Sequence, residues 1–356
     1  MSRRGRFRMR LRRCALVAAV ALFPRVASTQ GASPGALPTL WPTPANRLDL
    51  RLLKPPYAVV TRPPSGQRVN GVDVVALDPS TLKPTTRSPT ALTCLRVHAS
   101  MRGDVLCFSI RVPHSGVQFG TPTSLLYAPD LTPVFTHFNG TRGLPNRARV
   151  SPDGVFSATT EFASGESYTG MSGTFSTATF ILRNDAPDTA ANIETWPVIQ
   201  QGRKVTAADL NLWGVTFDPR RSDHFYVTAW FAGKPHLAEG SVAARRMTAL
   251  REGVECPSFS PDGKRLAFKK RIDASSWSPA VLDLATQRET VFDVGASVDD
   301  QIEWLDNHTL IYGIASHPLI GAATSNLMAL DIAAVSPRPV LWLADARSPA
   351  FVRVRQ

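Results

Sequence analysis

Hydrophobic and polar residues alternate in short runs along most of this chain, a pattern typical of β-strands with one buried face. The clearest example is 256–268, where apolar residues flank the tetrapeptide Ser-Pro-Asp-Gly. Ser260 opens this turn, Pro261 presets φ at the second position, and Gly263 supplies the left-handed conformation that closes it. The pattern therefore predicts a β-hairpin centred on Ser-Pro-Asp-Gly.

The hairpin pattern recurs along the chain. Residues 149–157 repeat it closely, and weaker copies lie at 97–108, 215–227 and 302–312. An apolar strand that ends in an acidic turn follows the hairpins, as at 74–79, 281–286 and 327–332. Asp262 and Asp306, at equivalent points of two copies, are 44 residues apart. A period of that size, with four short strands in each repeat, is typical of β-propeller blades.

The repeats predict an all-β fold, a six-bladed β-propeller of four-stranded blades. Five complete blades fit the sequence at 92–137, 146–197, 211–250, 254–294 and 299–344. Residues 57–88 supply three strands and 349–354 supply one more. Pairing the C-terminal strand into the N-terminal blade gives the sixth blade, closes the ring and leaves no free sheet edge. Five or seven blades remain alternatives, because the third and fourth repeats are irregular.

The first 56 residues lack this pattern. Residues 1–28 combine eight arginines, no acidic residue, an apolar run at 14–23 and the small residues Ala27 and Ser28, which predicts a signal peptide. The run is shorter than the roughly 20 residues that span a bilayer. We expect an exported protein, periplasmic or secreted, with no transmembrane span after cleavage. Residues 29–56 are rich in proline and predict a linker or surface strap before the propeller at 57–356.

The charge distribution and the cysteines are consistent with an exported protein. The leader holds eight arginines out of a formal charge of +12, so the rest of the chain is only mildly basic. With no RNA-binding motif, we expect no nucleic-acid partner, and we expect a monomer. Cys94 and Cys107 flank the turn at 100–103, and a hairpin would place them nearly opposite each other. We predict a disulfide between them, and a buried free thiol at Cys256.

Residues 257–268, together with the strand Val-Leu-Asp-Leu at 281–284, resemble the TolB-type, WD-like β-propeller repeat of exported bacterial proteins. The resemblance implies an envelope protein that binds other proteins through a rigid disc. Related propellers also occur among peptidases and polysaccharide lyases, so the fold leaves the function open.

Motifs for nucleotide binding and for zinc-dependent hydrolysis do not occur in the sequence. The seven histidines contain no i, i+4 pair, so a metal site would require histidines from different blades to converge. We expect no cofactor, no metal and no catalytic residue. Convergence of three or more histidines would instead favour an enzyme.

Loop length indicates a binding face. The connections between second and third strands, at about 112–123, 163–176, 270–278 and 314–325, lie on the face opposite the Ser-Pro-Asp-Gly hairpins. Aromatic residues among small polar ones suit a protein contact. The candidate binding residues on this long-loop face are His114, Phe119, Ser167, Tyr168, Met171, Trp277 and His317. Alternatively, these loops only pack over the channel mouth.

The sequence therefore favours an exported, non-enzymatic propeller that binds an envelope or extracellular protein or peptide. A polysaccharide- or peptide-cleaving lyase or hydrolase, with its site at the channel mouth, is the alternative from a different class. A structural spacer without a ligand is a third hypothesis.

Overall fold

The computed structural model describes residues 48–63, 70–111, 121–139, 141, 143–164, 175–298, 300–316 and 324–353. The segment 1–28, predicted as a signal peptide, lies outside these residues, as does most of 29–56. The described chain is almost wholly β, with single 3-10 turns at Leu50–Leu52 and Ile193–Thr195. No helix in the described ranges is long and apolar enough to cross a bilayer.

The strands fall into six blades, numbered I to VI in chain order. Blade I begins with β1 (Tyr57–Arg62), β2 (Gly71–Leu77) and β3 (Pro84–Thr93). Blade II contains β4 (Arg96–Ala99), β5 (Val105–Arg111), β6 (Thr121–Tyr127) and β7 (Pro133–Phe138). Blade III contains β8 (Leu144–Val150), β9 (Phe156–Ser164), β10 (Ser176–Arg183) and β11 (Ala186–Asn192).

The second half of the chain completes the ring. Blade IV contains β12 (Val198–Gln200), β13 (Arg203–Lys204), β14 (Asn211–Phe217), β15 (His224–Phe231), β16 (Lys234–Ser241) and β17 (Arg246–Glu252). Blade V contains β18 (Glu255–Phe259), β19 (Arg265–Arg271), β20 (Trp277–Asp283) and β21 (Glu289–Val291). Blade VI contains β22 (Glu303–Trp304), β23 (Thr309–Ser316), β24 (Thr324–Asp331) and β25 (Val340–Leu343), and β26 (Arg347–Val352) follows.

The predicted closure of the ring is confirmed. The sheet of blade I has the strand order β26-β1-β2-β3, so the C-terminal strand is the innermost strand of the N-terminal blade. Tyr57 pairs with Val352 and Ala58 with Phe351 in antiparallel register. The innermost strands β4, β8, β14, β18, β22 and β26 contact one another in that order around the channel. The six-bladed, four-stranded architecture predicted from the repeats is therefore correct.

Blade IV differs from the simple repeat by an additional hairpin. β12 and β13 pair with each other, and β12 adds in parallel to the outer strand β17, with Val198 opposite Met247. The sheet consequently has six strands. The hairpin covers part of β17, so the outer edge of this sheet is the two-residue strand β13. The connection between blades III and IV supplies these strands, and its sequence carries no repeat signal.

The two Ser-Pro-Asp-Gly turns adopt the predicted conformation. Gly263 N donates to Ser260 O at 2.9 Å, and Gly154 N donates to Ser151 O at the same distance. The φ angles of these glycines are 68° and 70°, in the region where a side chain is disfavoured. The serine hydroxyls lock the turn further, since Ser260 Oγ accepts from Arg265 N at 3.0 Å. Local turn chemistry therefore determines where the innermost strands β8 and β18 end.

The hydrophobic core is divided among the interfaces between neighbouring blades. Six apolar clusters in the described chain each combine side chains of two adjacent blades. Between blades V and VI, for example, Ala267 and Val281 pack against Trp304 and Leu310. The outer strands are the most exposed, and Val340 and Leu341 of β25 are 61% and 59% exposed. Each blade is thus stabilised by its neighbours rather than by a core of its own.

Cys94 and Cys107 form the predicted disulfide, with their Cα atoms 5.4 Å apart. Both sulfurs lie in the cluster between blades I and II, while Cys256 is a buried free thiol. Leu50, before the first strand, is 2% exposed in the same cluster and its N–H donates to Pro129 O at 2.8 Å. The residues just before β1 therefore pack on blade II.

Candidate functional site

The long-loop face predicted from the sequence falls mostly outside the described residues, and this applies to His114, Phe119, Ser167, Tyr168, Met171 and His317. Trp277 is described. It is 3% exposed, its indole N–H donates to Glu255 Oε1 at 3.0 Å, and Arg271 Cζ lies 4.6 Å from its ring centroid. Trp277 therefore packs inside blade V. The prediction for the rest of this face stays a prediction.

A cavity of about 850 Å³ opens at the channel entrance on the opposite face, where the Ser-Pro-Asp-Gly turns lie. We call this cavity the hairpin mouth. Strand ends and turns of all six blades line it, including Ser80, Met101, Pro152, Pro219, Pro261 and His308 at its rim. Phe217, Phe259 and Phe351 add apolar surface below the turns. A concave site of this volume is typical of ligand pockets.

Five side chains below the turns occupy equivalent positions on five innermost strands. Each lies two residues before the residue that opens the first turn of its blade; for example, His98 precedes Ser100, whose N–H donates to Asp104 O at 2.9 Å. We call the set the channel ring: His98, Arg149, Thr216, Ser258 and Glu303. The inward-facing period of a strand places such residues around one axis.

Arg149 and Glu303 form a buried ion pair within the channel ring. Arg149 Nη1 donates to Glu303 Oε1 at 2.5 Å and to Oε2 at 2.6 Å, and their side chains are 7% and 9% exposed. When the Gln301 amide presents its oxygen to Arg149, it accepts from Nε at 3.0 Å and also from Nη2. Ser258 Oγ lies 3.5 Å from Glu303 Oε2. Most donors of Arg149 are thus engaged by groups of the chain itself.

His98 adjoins this pair as a neutral imidazole. Its Nδ1 lies 3.1 Å from the donor Val150 N, and a neutral imidazole can accept through only one of its two nitrogens. Nε2 faces Arg149 Nη1 at 3.0 Å and Glu303 Oε1 at 3.9 Å. Burial, reinforced by the nearby guanidiniums of Arg149 and Arg353, lowers the pKa of His98 well below its usual range. His98 therefore adds no charge to the channel at neutral pH.

His98 and Glu303 also line a second, much smaller cavity of about 10 Å³ on the other side of the ring. That space has room for about one water molecule. The channel ring is therefore the floor of the hairpin mouth.

Comparisons with known proteins concern the fold. No protein-family model matches the sequence, and no curated protein matches it either. Among solved structures, TolB from Acinetobacter baumannii aligns over 86% of this chain and 68% of its own, with 13% identity and a TM-score of 0.54. A chain of a nidogen/laminin complex aligns over 84% of this chain and 100% of its own, with 12% identity and a TM-score of 0.54. What these proteins share with this chain is the propeller fold.

An oligogalacturonate lyase in complex with manganese is also similar in structure. It aligns over 78% of this chain and 74% of its own, with 10% identity and a TM-score of 0.44. A similarity at that level supports no argument about chemistry. In the described part of the chain, no group of three or more His, Cys, Asp or Glu side chains is placed to hold a metal ion.

The channel ring was not identified from the sequence, although a signal for it exists. Once the Ser-Pro-Asp-Gly turns are aligned, Arg149 and Ser258 occupy the position two residues before each serine. The same offset finds His98 before Ser100 and Glu303 before Leu305. Charged and polar residues at an inward position of a buried strand are unusual, because burying them requires compensating partners. A charged or polar residue at such a position is therefore the sequence signal that identifies the channel ring.

Proposed function

We propose that this protein is an exported, non-enzymatic propeller that binds a peptide segment of an envelope or extracellular protein at the hairpin mouth. The observation that carries the proposal is the cavity of about 850 Å³ lined by all six blades. An extended segment fits such a cavity better than a flat protein surface does. Five prolines and three phenylalanines among the lining residues offer apolar contact.

Rigidity supports the proposal. The turns that form the rim are fixed by their own hydrogen bonds, as at Ser151, where Oγ accepts from Phe156 N at 2.9 Å. A rim that is ordered before binding loses little conformational entropy when a peptide enters. Export is supported by the Arg-rich leader and by the disulfide Cys94–Cys107, since disulfides persist in oxidising compartments.

Photo-cross-linking in living cells tests the site. A photoreactive amino acid replaces Ser80 or His308 at the hairpin mouth, Ser167 or Tyr168 on the long-loop face, and Arg246 on the outer strand β17 as a control. We expect one envelope or extracellular protein to be captured from Ser80 and His308 and not from Arg246. Mass spectrometry identifies the captured segment.

The other outcomes are informative. Capture only from Ser167 and Tyr168 would move the binding site to the long-loop face. Capture from no position would contradict the binding function. Cleavage of a polysaccharide or a peptide by the purified protein would favour the enzyme hypothesis instead. The same assay after dialysis against a chelator would show whether that cleavage requires a metal ion.

A further inference from the structure

The strongest unexplained feature of the hairpin mouth is Arg353. It follows β26, at the point where the two ends of the propeller chain meet, and it lines the cavity. Its Nε donates to Leu305 O at 3.0 Å, and its Nη2 donates to Trp304 O. These two bonds fix the guanidinium plane. The remaining nitrogen, Nη1, contacts only the thioether sulfur of Met101, at 4.0 Å, among the described residues.

Arg353 therefore contributes a positive charge without a carboxylate partner. No Asp or Glu oxygen of the described chain lies within ion-pair distance of it, whereas Arg149 is paired with Glu303. Asp306, at the rim, is engaged locally, because its Oδ1 accepts from His308 N and Thr309 N at 2.6 and 2.7 Å. His98 is neutral, as argued above. The lining of the mouth thus carries two guanidiniums and two carboxylates, but Arg353 is the guanidinium that has no carboxylate in direct contact.

The environment of Arg353 makes this charge costly. Burial lowers the pKa of Arg353 to about 10, although Glu303 and Asp306 act in the opposite direction. A cation removed from water and without a carboxylate in direct contact is destabilised, and an anion brought beside it would be strongly attracted. The free edge of the guanidinium, at Nη1, is the edge such an anion would contact.

We propose, resting on the peptide-binding function above, that the hairpin mouth is specific for a segment bearing a carboxylate, which Nη1 of Arg353 binds. Apolar side chains next to that carboxylate contact the phenylalanines and prolines of the wall. A carboxylate is the anionic group that the side chains and the C-terminus of a peptide supply, and one of its oxygens can accept from Nη1. The segment is thus acidic and apolar, and neither basic nor purely hydrophobic.

A phage-displayed random heptapeptide library, selected on the protein without its leader, tests the specificity. We expect the selected peptides to share Asp, Glu or a free C-terminus beside aromatic or aliphatic residues. A selected peptide is then synthesised with its acid and with the matching amide, Glu→Gln or a C-terminal amide. The amide is expected to bind at least about tenfold more weakly, as loss of a charge-assisted hydrogen bond implies.

Variants assign the effect to Arg353. In Arg353→Met, the acid and amide peptides should bind equally, and Arg353→Lys should retain part of the difference. Arg102→Met is the matched control, because Arg102 lies near the rim but already pairs with Asp104 at 3.3 Å. Circular dichroism verifies that each variant is folded. If Arg353→Met does not fold, the acid–amide comparison on the unaltered protein decides.

The failures are distinguishable. Selection of neutral peptides would overturn the carboxylate specificity and leave the peptide-binding function intact. The same conclusion would follow if replacing the acid by the amide weakened binding equally on Arg353→Met and on the unaltered protein. If phosphate competed with the peptide as strongly as acetate does, the site would be specific for anions in general and not for carboxylates. A selection that enriches no peptide above background would contradict the peptide-binding function itself.

Discussion

Arg149 and Glu303 show what burial does to a single pair of charges. Their side chains are 7% and 9% exposed, so water screens their attraction weakly and each would be costly to leave alone. Such a pair adds little net stability compared with an apolar pair of the same size, but removing one partner leaves an unpaired buried charge. The Arg149–Glu303 pair therefore contributes mainly by holding the floor of the hairpin mouth in one conformation.

We expect Glu303→Gln to lower the free energy of unfolding by roughly 3 kcal/mol, because it leaves the Arg149 guanidinium buried without its counterion. The double variant Arg149→Met with Glu303→Leu should lose less free energy of unfolding than the two single variants lose together. Urea unfolding followed by tryptophan fluorescence measures all four free energies. Strict additivity would mean that the two side chains do not stabilise each other.

His98 predicts a pH dependence. Its folded pKa lies well below the usual 6.5, so between the two values the unfolded chain binds a proton that the folded protein does not. Stability should consequently fall as the pH drops below about 6.5, by up to ~1.4 kcal/mol per pH unit. Asn at position 98 keeps an acceptor near Val150 N but does not titrate.

The measurement compares the protein with His98→Asn by urea unfolding at several values between pH 5 and pH 7.5. We expect the stability advantage of the unaltered protein to shrink toward pH 5. Carboxylates that titrate in this range affect both proteins alike and cancel in the difference. Parallel stability curves would show that His98 is protonated as easily in the folded state as in the unfolded chain.

At the level of single elements, the sequence was most informative where the structure depends on neighbours in the chain. The turns at 151–154 and 260–263 were predicted because serine, proline and glycine each determine a local dihedral angle or hydrogen bond. The channel ring escaped prediction because His98, Arg149 and Glu303 meet only after three separate blades have packed together. The hairpin of β12 and β13 escaped for a similar reason, since it pairs with β17, about fifty residues later in the chain.

The 3-10 turn Ile193–Thr195 carries a second pH-sensitive group. Glu194 Oε1 accepts from Thr177 Oγ1 at 2.8 Å and from Leu212 N at 3.1 Å, linking blade III to the first residues of β14. Burial raises the pKa of Glu194 to about 8, with these bonds acting in the opposite direction. The folded protein thus holds this proton at pH values where the unfolded chain has lost it.

A raised folded pKa gives stability that is present at pH values below 4.5 and is lost as the pH rises toward 8. Glu194→Gln, which does not titrate, should therefore gain stability relative to the unaltered protein as the pH rises from 5 to 8, by up to about 1.4 kcal/mol per pH unit. Thermal unfolding at pH 5, 6.5 and 8 measures this difference. Asp185→Asn, at an exposed turn of the same blade, is the control and should show no such trend. A constant difference for Glu194→Gln would mean that the carboxyl is ionised in the folded protein throughout.

At the level of the whole molecule, stability depends on closure of the ring. The six apolar clusters of the described chain all lie between blades, so a blade without one neighbour exposes the apolar side chains of the cluster that the two share. Ala350 and Val352 of β26 lie in the cluster between blades I and II, and Phe351 lies in the cluster between blades VI and I. One short strand therefore supports two interfaces, and it comes from the opposite end of the chain to the strand it pairs with.

We expect a chain that ends at Ala346, and so lacks β26, to lose cooperative unfolding and to expose apolar surface. Its blade I keeps three strands, and the edge of β1 is left unpaired. Size-exclusion chromatography, dye binding and urea unfolding measure this outcome. The matched control is a circular permutant in which a short linker joins Arg353 to Tyr57 and new termini lie between β17 and β18, at Gly253 and Val254. This permutant keeps every strand pair and should unfold in a single transition. If the truncated chain were as stable as the permutant, closure by β26 would contribute nothing, and the stability of the disc would have to come from the other five blades alone.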